Sequence, residues 1–340
     1  MKVALDAQLS VGTATGIGEY VRGLAGALRA EGIELVELRD PSLDPWRFDR
    51  RVLWDQLLLP RRARASGARL LHCAGGTMPR NPGMPVVVTV HDLAWHSVQS
   101  HAPVYARYYF GALSLRRYRR AARILVDSNF TRAELLRHEP RLDPARVSVA
   151  YPGVAADFCR VTREAGDGRT ILAVGTVERR KNLEVLIRAL PRLPGARLLA
   201  IGPTTPYADE CAALARTLNV EERVAMPGYV PRERLLELYA GVAVAAVASK
   251  YEGFGYAAAQ ALCAGVPCVV SGCASLPEVV RDDAPVVEAG DVSAWVTALG
   301  AALNGEADAR AAQARVHAIG RFSWASAARS VATAYASVDG

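Results

Sequence analysis

The sequence lacks any C-x-x-C pair, although six cysteines occur among its 340 residues. The closely spaced Cys263, Cys268 and Cys273 do not have the spacing of a zinc finger. The three histidines from His91 to His101 recur every five residues, so they do not share one face of a helix. We therefore expect reduced, buried thiols, no bound metal and a cytoplasmic protein.

Long hydrophobic runs are also absent. The most apolar stretch, residues 240–248, is far shorter than the ~20 residues that a membrane-spanning helix needs, and its pattern indicates a buried strand. The start of the chain has no apolar stretch typical of a signal peptide. No Gly-Lys dipeptide occurs, which excludes a Walker-type phosphate-binding loop.

Apolar residues make up 51% of the chain and charged residues 22%. This balance is sufficient for two hydrophobic cores, it excludes a disordered chain, and the length favours two domains. Lysine plus arginine number 41 and aspartate plus glutamate 34, so the net charge is +7. The excess of positive charge favours an anionic partner. Composition does not distinguish nucleic acid, an acidic membrane surface and a small phosphorylated ligand.

Apolar, β-branched segments alternate with helical segments along the chain. Residues 86–90, Val-Val-Val-Thr-Val, have the pattern of a parallel strand that is buried on both faces. A polar stretch near residues 154–169 separates two such alternating series. The alternation predicts an α/β protein with parallel sheets, including a first strand at residues 2–9 and a long helix at residues 104–123.

We predict two doubly wound, Rossmann-like domains that face each other across a cleft. The predicted parts are an N-terminal domain, a linker, a C-terminal domain and a last helical segment, at residues 1–153, 154–169, 170–321 and 322–340. Ligands bind at the carboxyl ends of the strands in such sheets, so we expect the site between the two domains.

Two glycines, Gly16 and Gly18, precede the first predicted helix. Glycine lets the backbone approach a ligand closely, and the start of a helix favours an anion. A dinucleotide-binding fingerprint needs a third glycine where Val21 stands, which disfavours an NAD site. A flexible strand–helix turn is the alternative interpretation.

Three consecutive cations, Arg179, Arg180 and Lys181, lie between a predicted strand and a predicted helix. The positive end of a helix dipole repels cations, so their placement there favours a bound anion such as a diphosphate. A solvated run of surface charges is the alternative.

A second loop, residues 249–256, joins an apolar strand to a helix. Gly253 and Gly255 leave backbone N–H groups free to point at a phosphate, and Glu252 is placed to accept hydrogen bonds from hydroxyls. A capped turn with a solvated glutamate is the alternative.

Eight short stretches follow one another in an order that resembles a known enzyme family, at residues 16–20, 88–92, 127–132, 175–182, 228–230, 252–255, 265–267 and 275–279. The sequence is similar to the retaining glycosyltransferases of family 4, which have the GT-B fold. The resemblance covers nearly the whole chain. It implies transfer of a sugar from a nucleotide diphosphate sugar to an acceptor hydroxyl, and a last helix that returns to the N-terminal domain.

The resemblance also implies roles for individual residues. Arg180 and Lys181 match the basic pair that neutralises the diphosphate. Glu252 matches a glutamate near the hydroxyls of the donor sugar, and His91 matches a histidine that closes over that sugar; these four are the expected catalytic residues. The expected donor-binding residues are Gly16, Gly18, Thr176, Val230, Gly253, Phe254, Gly255, Tyr256 and Gln260.

Gln260 departs from the family pattern, which has a second glutamate at this position for the ribose hydroxyls. A carboxylate accepts both hydroxyl hydrogens, whereas an amide offers one acceptor and one donor. We expect Gln260 to face the ribose all the same, at a cost of about 1–2 kcal/mol of donor affinity.

The chain has no D-x-D motif, so we expect neither a metal nor another cofactor. The implied partners are a UDP-, GDP- or dTDP-sugar donor and a glycan or antibiotic-precursor acceptor, with antibiotic assembly of the orthosomycin type favoured over surface polysaccharide. The dispersed cations disfavour nucleic acid. The arginine cluster at residues 116–123 is compatible with a solvated face or with peripheral contact to an anionic membrane.

Two further functions fit the same architecture. A sugar-nucleotide epimerase would convert the nucleotide sugar without an acceptor. A non-catalytic binding protein would hold UDP or GDP without hydrolysis or transfer.

Overall fold

The computed structural model describes residues 1–12, 16–97, 103–164 and 166–339. The chain divides into two compact units, one formed by Met1–Gly153 with Phe322–Gly340 and the other by Val154–Arg321. His101 and the middle of the glycine- and threonine-rich loop, residues 13–15, lie outside the described residues.

The first unit is built on a six-stranded parallel sheet in the order β2-β1-β3-β4-β5-β6. Its strands are β1 (Lys2–Asp6), β2 (Glu34–Leu38), β3 (Leu70–Cys73), β4 (Val86–Val90), β5 (Arg123–Val126) and β6 (Val147–Val149). The chain runs from β1 to β2 on one side and then to β3 on the other. The strand order therefore reverses between β1 and β3.

Helices cover both faces of this sheet. They are α1 (Gly16–Ala30), α2 (Phe48–Leu53), α3 (Leu59–Ala65), α4 (Ala94–Ser97), α5 (Val104–Arg107), α6 (Ser114–Tyr118) and α7 (Asn129–His138). All five residues of β4 are buried, as the sequence predicts. Val86 and Val88 belong to one hydrophobic cluster and Val87 to another, because successive side chains of a strand point to opposite faces.

Two predicted elements of this unit end earlier than expected. The first strand, predicted to extend to residue 9, ends at Asp6, because the buried Gln8 side chain donates to the carbonyls of Asp40 and Leu43 and a short 3-10 turn follows. The helix predicted at residues 104–123 ends at Tyr118. Its continuation is drawn back to the sheet, where the Ala122 N–H donates to the Val86 carbonyl.

The helical segments of this unit contain two π-helical stretches, Trp54–Leu58 and Tyr108–Leu113. The stretches contact each other, since Gln56 Nε2 donates to the Tyr109 hydroxyl at 2.9 Å and that hydroxyl donates to Asp55 at 2.9 Å. Buried polar pairing of this kind fixes two neighbouring irregular segments together.

The second unit is built on another six-stranded parallel sheet, in the order β12-β11-β10-β7-β8-β9. Its strands are β7 (Thr170–Val174), β8 (Arg197–Ile201), β9 (Val224–Gly228), β10 (Val244–Val247), β11 (Cys268–Ser271) and β12 (Val286–Val287). After β9 the chain crosses back to the other side of β7. The strand order therefore reverses between β7 and β10.

The helices of the second unit are α8 (Ala156–Cys159), α9 (Leu183–Ala189), α10 (Tyr207–Thr217), α11 (Arg232–Gly241), α12 (Tyr256–Ala264), α13 (Leu276–Val280), α14 (Val292–Leu303) and α15 (Asp308–Arg321). Residues 154–169, interpreted from the sequence as a linker, lie within this unit and contain α8.

The last helix, α16 (Trp324–Asp339), packs on α1 of the first unit. The contact depends on glycine, because a Cβ at Gly23 would lie 2.1 Å from the Trp324 ring and a Cβ at Gly153 would lie 2.4 Å from it. The Ser323 hydroxyl accepts from the Ser326 N–H at 3.2 Å and caps the start of this helix.

Candidate active site

In the second unit, a pocket opens where the strand order reverses between β7 and β10. Its lining includes residues that follow β7 and residues at the end of β10, namely Gly175, Thr176, Lys181, Val247, Ala248 and Ser249. Open parallel sheets bind ligands at the carboxyl ends of the strands at such a reversal. The pocket therefore lies where the fold itself places a ligand.

Two of the three consecutive cations converge on one carboxylate beside this pocket. Lys181 Nζ lies 2.5 Å from Glu252 Oε1, and an Arg180 guanidinium nitrogen lies 3.1 Å from Glu252 Oε2. Arg180 also bonds the Tyr251 carbonyl at 3.1 Å and Glu178 at 2.7 Å. The pair presents two positive charges around a single buried anion.

The third cation points elsewhere. Arg179 lies 2.7 Å from Glu210 and stands over the Tyr207 ring. Its side chain is exposed. Consecutive residues of one short 3-10 turn therefore point to different parts of the surface.

Burial raises the pKa of the Glu252 carboxyl, but the charges of Lys181 and Arg180 and the hydrogen bonds to it outweigh burial and leave that pKa below its ordinary value. Glu252 is therefore ionised at neutral pH. The carboxylate can only accept hydrogen bonds, and its negative charge is compensated by Lys181 and Arg180.

A left-handed residue fixes the basic turn against the sheet. Asn182 has φ 55° and its buried amide donates to the carbonyls of Ala248 and Ala289, at 3.1 and 2.9 Å. The Lys250 N–H donates to the Arg180 carbonyl at 2.7 Å, which joins the two loops directly. Asparagine tolerates this backbone conformation better than most residues do.

The loop before α12 requires glycine at position 255. Gly255 has φ 95°, and a Cβ there would lie 2.7 Å from a Leu276 methyl carbon. The backbone of Gly253 and Gly255 leads directly into the N-terminus of α12, while Phe254 is buried and packs edge-on against Tyr256 at 5.3 Å. The N-terminus of α12, the end of a helix that favours an anion, therefore adjoins this loop.

The remaining predicted donor-binding residues of this unit lie on three different segments. Thr176 lines the pocket. Gln260 lies on α12 and is 8% exposed. Val230 is half-buried in the loop after β9, two strands away from β7.

In the first unit, His91 directly follows β4 and is held from both sides. Its Nδ1 lies 2.7 Å from Asp127 Oδ2, and its Nε2 lies 2.8 Å from the Ala74 carbonyl oxygen. A backbone carbonyl is an acceptor, so Nε2 carries a proton. Neither ring nitrogen is left free for a sugar, and contact with a ligand through nitrogen would require one of these bonds to open.

Burial lowers the pKa of His91, but Asp127 and the hydrogen bonds outweigh burial and raise that pKa above its ordinary value. Burial conversely raises the pKa of Asp127, against the opposing effect of His91. The two groups therefore titrate as a coupled pair, which is an ion pair when His91 is protonated.

Buried His72 provides the contrast. Its ring nitrogens meet the Thr89 and Tyr335 hydroxyls at 2.8 and 2.6 Å, and burial lowers its pKa to about 3. Hydroxyls can donate or accept, so this ring stays neutral.

The two glycines predicted to approach the donor belong to α1. Gly16 is its first residue and is exposed, whereas Gly18 is buried. A Cβ at Gly16 would have no heavy atom within 4 Å, so close packing within this unit does not require glycine there.

Ser249 and Asp127 also contribute to the site, although they had no predicted role within the stretches 249–256 and 127–132. Ser249 Oγ donates to Glu252 Oε1 at 2.7 Å, and Asp127 pairs with His91. Each residue follows a buried strand at its carboxyl end, and that position was the available signal.

Most of the arginine cluster at residues 116–123 makes contacts within the first unit. Arg119 pairs with Glu139 at 2.7 Å, Arg123 donates to Ser337 at 2.6 Å, and Arg117 donates to the Met78 carbonyl. Arg116 and Arg120 are exposed. No helix in the described part of the chain is both long and apolar enough to span a bilayer.

Within residues 1–12, 16–97, 103–164 and 166–339, no group of three or more histidine, cysteine, aspartate or glutamate side chains is arranged to hold a metal ion.

Two family models match the chain in succession. Residues 14–158 match the model described as Glycosyltransferase Family 4, and residues 157–317 match the one described as Glycosyl transferases group 1. Together with two Rossmann-like parallel sheets, these matches define a GT-B glycosyltransferase. The chain belongs to the glycosyltransferases of the family 4 type.

Curated relatives and solved structures agree with this assignment. The D-inositol 3-phosphate glycosyltransferase of Mycobacteroides abscessus is 31% identical over 272 residues, which are 74% of this chain and 60% of that protein. The enzyme of that name from Mycolicibacterium smegmatis is 30% identical over 220 residues, which are 60% of this chain and 50% of that protein. The chain thus aligns with only about half to three fifths of these relatives.

Among solved structures, sucrose-phosphate synthase from Thermosynechococcus elongatus has a TM-score of 0.77 and 21% identity, and covers 100% of this chain and 99% of its own. HepE from Anabaena, solved in complex with UDP-glucose, has a TM-score of 0.76 and 14% identity, and covers 99% of this chain and 100% of its own. These likenesses establish the shared fold.

Proposed function

We propose that this chain transfers a glycosyl group from a nucleotide diphosphate sugar to an acceptor hydroxyl, with retention of the anomeric configuration. The observation that carries the proposal is the convergence of Arg180 and Lys181 beside the pocket at the reversal of the second sheet. Two cations that already surround one anion are suited to a diphosphate.

Breaking the bond between sugar and phosphate leaves positive charge on the sugar and negative charge on the diphosphate. Arg180 and Lys181 stabilise the leaving group, and the backbone N–H groups at the start of α12, beside Gly253 and Gly255, add hydrogen bonds. Because these groups supply the positive charge themselves, the reaction is proposed to need no metal or other cofactor.

The other contacts follow the family resemblance. Glu252 accepts hydrogen bonds from the sugar hydroxyls, Gln260 holds the ribose, and the backbone at Val230 meets the base. Thr176, Phe254 and Tyr256 complete the donor site of the second unit. Gly16, Gly18 and His91 are proposed to contribute from the first unit.

UDP is the first nucleotide to test, because HepE, which shares the fold, was solved with UDP and with UDP-glucose. A thermal-shift panel of UDP-, GDP- and dTDP-sugars, followed by a transfer assay with the best ligand, tests the proposal. We expect one base to stabilise the protein clearly and a retained anomer in the product. An epimerised nucleotide sugar formed without acceptor, or tight binding without turnover, would replace the proposal by the epimerase or the binding protein.

The proposed acceptor is a polyhydroxylated compound. The curated relatives are named for D-inositol 3-phosphate, and glycans or oligosaccharide-antibiotic precursors of the orthosomycin type remain our sequence-based proposal. A panel with inositol phosphates, oligosaccharides and free sugars, read by mass spectrometry, separates these classes. Transfer to the inositol phosphate alone would refute the antibiotic assignment.

Peripheral contact with an anionic membrane is a second proposal for the first unit. Exposed Arg116 lies on one helical segment with Val104, Tyr105 and Tyr108, whose side chains are also exposed. Exposed Arg120 lies in the turn directly after that segment. Basic and apolar groups together favour an acidic lipid surface. Co-sedimentation with phosphatidylglycerol vesicles, absent with phosphatidylcholine vesicles, is expected; no difference between the two refutes it.

A further inference from the structure

The Glu252 carboxylate receives two kinds of donor. Lys181 and Arg180 are charged, whereas the Ser249 hydroxyl, 2.7 Å from Oε1, is neutral. Glu252 is 9% exposed and Ser249 is 1% exposed, so the hydroxyl bond is shielded from water. Shielded bonds to an ionised acceptor are among the stronger hydrogen bonds in proteins.

The charged donors have a second task under the proposed function. A bound diphosphate carries more negative charge than one carboxylate, so it draws Lys181 and Arg180 away from Glu252. Without another donor, the carboxylate would lose its orientation when the sugar needs it.

Ser249 is fixed independently of the two cations. Its carbonyl accepts a hydrogen bond from the buried Ser271 hydroxyl, and the neighbouring Ala248 carbonyl accepts one from Asn182. The hydroxyl of Ser275 holds the Glu252 carbonyl at 2.9 Å. The backbone on both sides of the Ser249–Glu252 bond is therefore anchored.

We propose that Ser249 is a positioning residue, which keeps the Glu252 carboxylate directed at the donor sugar when the diphosphate engages Arg180 and Lys181. The inference rests on the proposed function and deepens it. Ser249 then contributes to the binding of the sugar and not to the binding of the diphosphate.

Calorimetric titration with UDP and with UDP-glucose tests this division. We expect the wild type to bind UDP-glucose more tightly than UDP, by a factor that reports the sugar contacts. We expect Ser249→Ala to bind UDP with unchanged affinity and to lose about tenfold of that factor, the worth of one hydrogen bond to a charged group. Ser114→Ala removes a buried serine hydroxyl of the first unit, which bonds the Tyr109 carbonyl, so it should retain the factor. Ser249→Thr keeps a hydroxyl at position 249 and should restore it.

An unchanged factor in Ser249→Ala, or an equal loss in Ser114→Ala, overturns the proposal. Crystal structures of the wild type and Ser249→Ala, each with bound UDP to engage Arg180 and Lys181, provide a test that does not depend on sugar transfer. We expect the Glu252 side chain to adopt more than one rotamer in the variant, and a single unchanged rotamer contradicts the positioning role. Failure of the wild type to transfer sugar would refute the proposed function while leaving this structural comparison decisive for Ser249.

Discussion

Lys181 and Arg179 lie two positions apart, yet their side chains have different partners. Lys181 bonds Glu252 beside the pocket, whereas Arg179 pairs with Glu210 over the Tyr207 ring. From the sequence, three adjacent cations were equally visible. Which of them face a ligand depends on the short 3-10 turn and on Asn182 in a left-handed conformation, and neither feature is apparent from composition or charge.

The divergence of these cations gives a matched pair of variants. Lys181→Ala removes a charge that stabilises the departing diphosphate, so we expect kcat/KM for transfer to fall roughly 10²–10³-fold. Arg179→Ala removes the same type of charge from an exposed pair and should stay within about twofold of the wild type. Steady-state kinetics with the identified donor measures both. Equal losses of kcat/KM in the two variants would show that Lys181 acts only through the overall positive charge of the protein.

The ion pair of His91 with Asp127 makes a prediction on pH. Because the folded-state pKa of His91 is raised above its ordinary value, the stability that this histidine contributes is present below about pH 6.5 and is lost as pH rises through the folded-state pKa. Asp127→Asn removes the partner charge, so the loss of stability on raising the pH should become smaller and the His91 pKa should fall.

Histidine NMR titration and denaturant unfolding across the neutral range measure the two effects. His72 is the internal control: its pKa of about 3 means that it stays neutral across this range in both proteins. A His91 signal that titrates identically in the wild type and in Asp127→Asn would contradict the ion pair.

At the scale of elements, hydrophobic and β-branched runs predict the buried strands well. The strand pattern at residues 86–90 coincides with β4, because a buried parallel strand is apolar on both faces. Helix ends and irregular segments were less predictable. The π-helical stretch Tyr108–Leu113 is held by a tertiary contact of Tyr109 with the π-helical stretch Trp54–Leu58. The local periodicity of the sequence does not predict that contact.

Contact between α1 and α16 depends on the absence of a side chain at Gly23. A Cβ there would lie 2.1 Å from the rigid Trp324 ring, so Gly23→Ala should destabilise the first unit by about 1–3 kcal/mol through overpacking. Gly26 lies in the same helix and is exposed, and a Cβ there would have no heavy atom within 4 Å. Gly26→Ala should therefore stabilise by about 0.5–1 kcal/mol.

Urea unfolding of the two glycine variants beside the wild type measures these opposite signs. If both substitutions were stabilising, helix propensity would dominate and the packing of Trp324 on Gly23 would not be a structural constraint.

For the whole molecule, ordered motifs predicted the glycosyltransferase class, and the two family models and the fold confirm it. The sequence also indicated which loops hold the donor-site candidates, because both loops follow buried strands. It did not reveal Ser249 or Asp127, since their importance comes from a partner three positions away in one case and 36 away in the other. The acceptor stays a proposal because no motif in the chain is specific to one hydroxyl compound.

Donor binding should stabilise the second unit selectively, because Arg180, Lys181 and α12 all belong to residues 154–321. A ligand at 100 times its Kd adds about 2.7 kcal/mol to the folded state. For a unit of this size, that corresponds to a rise in Tm of about 5–10 °C. In calorimetry with saturating UDP, we expect this rise in the transition of the second unit. The rise should persist in Arg179→Ala and shrink strongly in Lys181→Ala at the same UDP concentration. A nucleotide that shifts only the transition of the first unit would place the donor site on the other sheet and refute the assignment of Arg180 and Lys181.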